Sequence, residues 1–213
     1  MSTLDLDTPH GPARAHLTPA QEPRAALVLG HGAGGGVNAP DIAAAAQAAL
    51  AEAVSVALVE QPYRVAGRRS PAPAKQLDAA WTAVVQQLLE GELSGLPLVA
   101  GGRSLGARVA CRTADALGAV AVLCLAFPLQ PPQRRSATAP SPSRLDELDA
   151  VTVPTLVVQG TSDRFGMPPP GPRRTVAQVA GDHGLKKDLE AVGAAVRDWL
   201  PGVVGLETRA KAG

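Results

Sequence analysis

The segment that most constrains the fold is LVAGGRSLGARVA, which occupies residues 98–110. An apolar run leads into GGRSLG, and the apolar residues after it recur at helical spacing, so the segment predicts a strand, a sharp turn and a helix. Gly102 and Gly106 lie two positions on either side of Ser104, in the pattern G-x-S-x-G. A turn this tight leaves almost no room for side chains at those two positions, and it raises the serine hydroxyl above the sheet. The alternative is that Ser104 only caps the helix.

A serine hydroxyl becomes a strong nucleophile only when a base removes its proton and a third group orients that base. Downstream, Asp163 in TLVVQGTSDRFG follows a predicted strand at 155–159, and His183 in VAQVAGDHGLK follows the next predicted strand. The carboxyl ends of parallel strands meet at one edge of a sheet, so Ser104, Asp163 and His183 are expected to lie at the same edge. For His183 the alternative is an exposed loop histidine without a role.

Short apolar runs alternate with longer amphipathic segments along the chain, which favours an α/β fold: a mainly parallel, twisted sheet flanked by helices. An antiparallel N-terminal hairpin is expected to turn near His10. The whole chain, 1–213, is predicted to form one domain, with 1–23 as hairpin and lead-in and 202–213 as a loose tail after Pro201 ends the last helix. The predicted strands cover 25–29, 55–60, 96–100, 120–125, 155–159 and 175–179. The predicted helices lie around 42–50 (behind Pro40), 77–88, 105–117 and 189–200.

Composition argues against several classes of partner. The chain has 20 basic and 19 acidic side chains, and only 2% of its residues are aromatic, so neither a basic field nor stacking rings for nucleic acid are present. The longest nearly apolar run, 119–127, is too short to span a membrane, and the N-terminal segment resembles no secretion signal. Cys111 and Cys124 lack metal-ligand spacing. We therefore expect a cytoplasmic protein that uses no metal and binds neither nucleic acid nor membranes.

A second glycine-rich segment, LVLGHGAGGG, occupies residues 27–36. Gly30, Gly32 and Gly35 spell G-x-G-x-x-G, and Glu60 ends the next predicted strand, as in a dinucleotide-binding fingerprint. That fingerprint requires the helix to begin within the glycine turn, whereas here the helical pattern begins only near Pro40. A nicotinamide- or flavin-dependent oxidoreductase therefore remains the weaker reading of this loop.

Taken together, GHGAGG, GGRSLGAR, QGTSDRFG and GDHGLK resemble the α/β-hydrolase superfamily over roughly residues 24–200. The resemblance is to its small dienelactone-hydrolase-like branch, which includes the hydrolase-like subunit of the NSL histone-acetyltransferase complex. It implies a carboxylesterase-like enzyme without cofactors, with Ser104 as nucleophile, Asp163 as orienting acid and His183 as base. Larger members carry a lid after the strand at 120–125, whereas this chain offers only the proline-rich loop 128–143, so a minimal lid is expected.

The resemblance also implies an oxyanion hole built from the backbone N–H groups of Leu105 and of Ala33, which follows Gly32 in the glycine loop. The substrate would be a small acyl compound. Arg103 and Arg64, with other arginines in loops after strands, predict that it carries an anionic group, although these arginines can equally pair with helix carboxylates. A catalytically silent domain that serves as a protein-interaction module is the alternative function. Both a monomer and a homodimer remain open.

Overall fold

A computed structural model describes residues 1–131 and 142–205 of the chain. Within these ranges the chain forms eight strands and six helices. The strands are β1 (Ser2–Leu6), β2 (Ala13–Thr18), β3 (Ala25–Gly30), β4 (Val54–Glu60), β5 (Leu98–Arg103), β6 (Ala121–Leu125), β7 (Thr155–Gly160) and β8 (Arg174–Val179). The helices are α1 (Pro40–Ala51), α2 (Pro62–Val65), α3 (Ala74–Glu90), α4 (Leu105–Thr113), α5 (Leu145–Asp149) and α6 (Leu189–Val204).

The strands form one sheet in the order β1-β2-β4-β3-β5-β6-β7-β8. Along the part of the sheet ordered β4-β3-β5-β6-β7-β8, all neighbouring strands are parallel. Strand β2 is antiparallel to both of its neighbours, β1 and β4. The predicted fold class, a mainly parallel sheet with an antiparallel N-terminal hairpin, is therefore confirmed. In the antiparallel register Arg14 of β2 faces Glu60 at the end of β4. The turn of the hairpin consequently lies at the same sheet edge as the carboxyl ends of the parallel strands.

Helices cover both faces of the sheet, and each face has its own apolar core. On one face α3 and α4 bury side chains such as Trp81 and Leu88. On the other face α1 and α6 bury side chains such as Ile42 and Val196. Strand β3, in the middle of the sheet, is buried along its whole length, as expected for a strand covered on both sides. None of the helices in the described ranges has both the length and the apolar character needed to cross a membrane.

Two predicted boundaries differ from the structure because of glycines. Strand β5 continues to Arg103, beyond the predicted end at residue 100, since Gly101 and Gly102 stay in register with β6. At Gly101 a Cβ atom would lie 2.8 Å from the carbonyl oxygen of Leu123, so only glycine fits there. Helix α4 ends at Thr113 rather than near residue 117, and the chain then leaves it through a tight turn in which Gly118 has φ +61°.

The prediction that Pro201 ends the last helix was wrong, because α6 continues to Val204. A proline inside a helix removes one N–H donor, but its φ is compatible with the helix. Val203 and Val204 are buried against the core beside α1, and this burial offsets the lost hydrogen bond. Helix α2 was missed, because its four residues are too few for a periodic pattern. Residues 206–213 of the predicted tail and 132–141 of the predicted lid loop lie outside the described residues.

Candidate active site

The turn between β5 and α4 holds Ser104 in a strained backbone conformation, with φ +52° and ψ −106°. A Cβ atom on Gly102 would lie 2.5 Å from the carbonyl carbon of Gly106, and one on Gly106 would lie 2.6 Å from the carbonyl carbon of Gly30. Both contacts are far inside van der Waals distance. The N–H of Ser104 donates to the carbonyl of Leu125 in β6 at 2.8 Å. The two glycines of the motif are therefore required by packing, and the turn is anchored to the sheet.

The structure brings Ser104, His183 and Asp163 together in a continuous chain of hydrogen bonds. Ser104 Oγ lies 2.9 Å from His183 Nε2, and His183 Nδ1 lies 2.8 Å from Asp163 Oδ2. The carboxylate can only accept, so Nδ1 carries the proton and Nε2 is free to accept from the serine hydroxyl. Ser104 occupies the N-cap position of α4, but its side chain makes no capping hydrogen bond. Its hydroxyl is thus directed to the histidine and not to the helix.

Asp163 is held by two groups that the sequence patterns did not single out. Its side chain is 0% exposed. The backbone N–H of Phe165 donates to Oδ1 at 2.9 Å, and the amide of Gln159, at the end of β7, donates to Oδ2 at 2.9 Å. The Phe165 ring meets the His183 ring edge-on, with centroids 4.4 Å apart. The one sequence signal for this support is Gln159 itself, a polar residue in an otherwise apolar strand.

Arg103 anchors the loop that carries His183. Its Nη2 donates to the carbonyl of His183 at 2.8 Å, and its Nε donates to Asp41 Oδ2 at 3.2 Å. Asp41, in the first turn of α1, is only 1% exposed. Sequence reasoning assigned Arg103 to substrate binding and overlooked Asp41. In the structure Nε and Nη2 of the Arg103 guanidinium both donate to protein atoms. The side chain therefore connects the serine turn with α1 and with the loop that carries His183.

For any acyl transfer that uses Ser104 as nucleophile, replacing Arg103 by lysine is expected to lower kcat about 10- to 100-fold with little change in KM, because a single ammonium cannot reach both Asp41 and the His183 carbonyl. Steady-state kinetics of the purified variant would measure this. Arg112→Lys is the matched control. Arg112, on α4, also forms an ion pair with an aspartate, Asp78, but it does not contact the His183 loop. Wild-type kcat in Arg103→Lys, in a folded protein, would contradict the anchoring role.

The glycine loop after β3 passes over the serine. A Cβ atom on Gly32 would lie 3.5 Å from Ser104 Cβ and 2.9 Å from Arg103 Nη1. The loop is held from below by His31, which is 2% exposed. The backbone N–H of Gln61 donates to His31 Nε2 at 3.2 Å, so Nδ1 carries the proton and donates to the carbonyl of Gly32 at 2.8 Å.

Burial lowers the pKa of His31, against a smaller opposing effect of the hydrogen bond to Gly32. Its neighbour Tyr63 lies edge-on to the His31 ring, with centroids 5.7 Å apart, and donates to the carbonyl of Ala33 at 3.4 Å. Burial raises the pKa of Tyr63 to about 12. Around neutral pH, therefore, a neutral imidazole and a protonated phenol hold the loop.

The lowered pKa of His31 predicts a pH dependence of stability. In the unfolded chain His31 titrates near its ordinary pKa of 6.5, so below that pH the unfolded state binds a proton that the native state does not. The free energy of unfolding is therefore expected to fall as pH drops below 6.5, by up to about 1.4 kcal/mol per pH unit. Urea unfolding of wild type and His31→Gln at several pH values would measure the difference in slope. Equal slopes would contradict the prediction.

The alternative roles suggested by the sequence, a dinucleotide-binding loop among them, can be compared with the positions of these residues in the structure. The helix after the glycine loop begins only at Pro40, and the Glu60 carboxylate lies 3.4 Å from His16 Nε2. Neither feature fits a dinucleotide fingerprint. Asp182 is exposed, as expected, and its carboxylate accepts from the N–H of Gly184. Arg64, the other predicted substrate-binding residue, lies in α2, near enough to His31 to affect its pKa. Within the described ranges no cluster of metal-ligating side chains was found.

Comparison with known protein families identifies the family of this chain. Residues 23–189 match the family described as the alpha/beta hydrolase domain. The chain belongs to this family. All three residues of the hydrogen-bonded chain, Ser104, Asp163 and His183, lie inside the matched range of this alpha/beta hydrolase domain. A search of curated protein sequences returned no significant match.

Solved structures share this alpha/beta hydrolase fold at low sequence identity. A serine hydrolase without a lid from Xanthomonas campestris is 20% identical, with a TM-score of 0.72 over 94% of this chain and 95% of that one. Est1E from Butyrivibrio proteoclasticus is 16% identical, with a TM-score of 0.77 over 96% and 100% of the two chains. A dienelactone hydrolase from Anabaena variabilis is 14% identical, with a TM-score of 0.75 over 95% and 97%. At such identities the likeness establishes the fold.

Proposed function

We propose that this protein is a serine hydrolase that cleaves an ester, thioester or related acyl bond of a small molecule through an acyl intermediate on Ser104. The observation that carries the proposal is the aligned chain from Ser104 Oγ through the His183 ring to the buried Asp163 carboxylate. It lies at a strained turn that packing with the sheet enforces. Strain retained at a chemically competent residue is typical of active sites.

In the proposed reaction His183 Nε2 accepts the hydroxyl proton while Ser104 Oγ attacks the substrate carbonyl carbon. Asp163 keeps the imidazole in the required tautomer and stabilises its cation. The histidine then gives the proton to the leaving group, and the acyl group stays on Ser104 as an ester. Water, deprotonated by the same histidine, attacks this ester and releases the acid, which restores the serine hydroxyl.

Negative charge develops on the carbonyl oxygen during both attacks, and fixed N–H donors would stabilise it. We assign this role to the backbone N–H groups of Leu105 and Ala33, with Gly32 leaving space for the substrate. The support is local: Leu105 begins α4 directly after the serine, and a Cβ atom placed on Gly32 would lie 3.5 Å from Ser104 Cβ. The hydrogen bonds of His31 and Tyr63 to the loop carbonyls would keep those donors in place.

Among hydrolases we favour a carboxylesterase or dienelactone-hydrolase-like enzyme, and we retain the relation to the NSL subunit as a proposal from the sequence motifs. The named serine hydrolase, esterase and dienelactone hydrolase are similar in fold. A silent interaction module would be recognised by a misaligned His183 or an apolar surface patch. Among the described residues, Met1 is the only exposed large apolar side chain, and His183 is aligned. Both observations favour the enzyme.

A fluorophosphonate probe tests the proposed function, because it forms a stable bond only with an activated serine. Intact-mass analysis is expected to show one adduct on the wild-type protein and none on Ser104→Ala. Ser94→Ala, which removes an exposed serine before the start of β5 and thus toward the opposite edge of the sheet from Ser104, is the matched control and should label fully. A folded wild-type protein that does not label would favour the interaction module, whereas labelling that survives Ser104→Ala would reject Ser104 as nucleophile.

We also propose that the substrate carries a carboxylate or phosphate. The support is Arg64, which lies near the glycine loop, and Arg164, whose guanidinium lies 4.9 Å from the centre of the Phe165 ring beside His183. Matched anionic and neutral esters are expected to differ several-fold in kcat/KM in favour of the anion, with the difference shrinking at high salt and in Arg64→Gln. Equal values at all salt concentrations would reject an anionic substrate.

A further inference from the structure

One nitrogen of the Arg103 guanidinium has no partner in the described part of the chain. Nε donates to Asp41 and Nη2 donates to the carbonyl of His183, whereas Nη1 forms no hydrogen bond with a described residue. Three side-chain polar atoms of the described residues are buried without a partner, and Arg103 Nη1 is not among them. The side chain is 18% exposed. Nη1 is therefore a donor that solvent, and thus a ligand, can reach.

This donor lies beside the proposed nucleophile, next to Gly32. A Cβ atom placed on Gly32 would lie 2.9 Å from Arg103 Nη1, 3.4 Å from Arg103 Cδ and 3.5 Å from Ser104 Cβ. The distance from Nη1 to Ser104 Cβ therefore cannot exceed the sum of the first and last of these values. A side chain at position 32 would press on Nη1, whereas glycine leaves it uncovered beside Ser104.

The two protein contacts of the guanidinium fix the direction of Nη1. Asp41 is itself held, because its side chain is 1% exposed and its Oδ1 accepts from the N–H of Ile42 at 3.1 Å. A planar guanidinium with two nitrogens bound to the protein cannot rotate. A donor that is fixed before the ligand arrives loses little conformational entropy on binding. Nη1 is therefore prepared for a ligand without rearrangement.

The charge balance indicates which kind of group Nη1 binds. The positive charge of Arg103 already faces the buried Asp41 carboxylate, so what Nη1 offers is mainly an N–H donor. A guanidinium only donates, so its ligand must supply an acceptor, such as an oxygen.

The short distance between Nη1 and Ser104 limits where this oxygen lies on an acyl substrate. With a carbonyl carbon at Ser104, an oxygen within hydrogen-bond distance of Nη1 lies about two or three bonds, of roughly 1.5 Å each, from that carbon. An acyl group with an oxygen farther along its chain would carry that oxygen past the donor.

We propose that Arg103 is a specificity-determining residue. Its Nη1 donates to an oxygen two or three bonds from the reacting carbonyl carbon, so the enzyme prefers short acyl groups with such an oxygen to hydrocarbon acyl groups. The inference rests on the proposed function, because it places an acyl group at Ser104. It differs from a general attraction of anions, since a neutral ether oxygen is bound as well.

Matched ethyl esters test the proposal. Ethyl 3-methoxypropanoate and ethyl pentanoate have acyl chains of equal length, but the first carries an oxygen three bonds from the carbonyl carbon. Ethyl 6-methoxyhexanoate and ethyl octanoate form a second pair, with the oxygen six bonds away. After division by the rate of hydroxide hydrolysis, kcat/KM should favour the ether about tenfold in the first pair, because hydrogen bonds to charged groups are strong. The second pair should differ less than twofold.

Three results with these esters would overturn the proposal. The first is equal normalised values within the first pair, and the second is an equal ether preference in both pairs, which would remove the dependence on position. Monoethyl malonate, which has a carboxylate oxygen three bonds from the carbonyl carbon, supplies the third. A preference for malonate over ethyl pentanoate without one for the neutral ether would indicate attraction of anions and no contact with Nη1.

Two variants assign the preference to Arg103. Arg103→Lys removes Nη1, and the shorter side chain does not reach the space beside Gly32. The tenfold ether preference should therefore fall to about one, and the ratio cancels the general loss of kcat expected for this variant. Arg112→Lys should keep the tenfold preference, since Arg112 pairs with Asp78 away from the His183 loop. A preference that persists in Arg103→Lys would overturn the assignment.

Binding without turnover separates this proposal from the proposed function. In Ser104→Ala protein labelled with ¹⁵N, ethyl 3-methoxypropanoate should shift the guanidinium signals of Arg103 and bind about tenfold more tightly than ethyl pentanoate. If this result held while the wild type hydrolysed neither ester, the hydrolase function would fail and the Nη1 contact would stand. Hydrolysis of both esters at equal normalised rates, or equal binding of both, would overturn the Nη1 contact and leave the hydrolase function intact.

Discussion

Replacing Ser104 by alanine is expected to lower kcat/KM for an ester such as 4-nitrophenyl acetate by about 10⁶-fold. The substitution removes the nucleophile itself, and the remaining groups can only assist attack by water. Alanine fits the positive φ of this position as well as serine does, and the side chain makes no helix cap, so the fold should not change. Steady-state hydrolysis and thermal unfolding of both proteins would be measured side by side.

The prediction would be contradicted if the variant retained more than about a hundredth of the wild-type rate. Contaminating hydrolases and traces of wild-type protein must first be excluded. If the variant still retained this activity, the hydroxyl held by His183 would not be the attacking group. The exposed serine control, Ser94→Ala, should keep the wild-type rate and shows whether handling of the proteins alone affects activity.

Replacing Asp163 by asparagine is expected to lower kcat by about 10⁴-fold. Phe165 N–H donates to Oδ1, whereas the Gln159 amide and His183 Nδ1 share Oδ2. The asparagine oxygen is expected to face the Phe165 N–H, which the backbone fixes, so its NH₂ group takes the Oδ2 position beside His183. An NH₂ group toward His183 Nδ1 forces that nitrogen to accept. The ring then carries its proton on Nε2, and it can no longer accept the proton of Ser104.

Asp182→Asn is the matched control for this prediction. Asp182 neighbours His183 in sequence, but it is exposed, and its Oδ1 accepts from the N–H of Gly184, a bond that asparagine can keep. The control should retain the wild-type kcat. If Asp163→Asn behaved like Asp182→Asn, the buried aspartate would not orient the base, and the hydrogen-bonded chain would have to be interpreted as structural.

The predictions that agree with the structure are those that depend on local geometry and strand order. Residues 98–110 predicted a strand, a turn and a helix. The turn requires glycine at positions 102 and 106, because any larger side chain there would clash with the backbone. Asp163 and His183 were placed at one edge because each follows a buried strand, and all strands from β3 to β8 prove to be parallel. Periodicity and chain order carry this information without any knowledge of side-chain conformation.

The missed features depend on side-chain contacts between segments far apart in the chain. Gln159 and Asp41 are buried polar residues whose partners, Asp163 and Arg103, could not be assigned from spacing. Arg103 lies in a loop after a strand, and a guanidinium in that position can bind a substrate or a protein carboxylate equally well. The continuation of α6 through Pro201 depended in the same way on burial of Val203 and Val204, which no local rule describes.

The sequence by itself determined the strained serine turn, the order of nucleophile, acid and base, and the parallel arrangement that collects them at one edge. These follow from steric rules that act within a few residues and from the alternation of apolar segments. Only the tertiary structure decided that Arg103 binds Asp41 and the His183 loop, and that His31 and Tyr63 hold the glycine loop over Ser104. Hydrogen bonds between distant segments depend on atomic positions within a few tenths of an ångström, and such positions exist only once the whole core has packed.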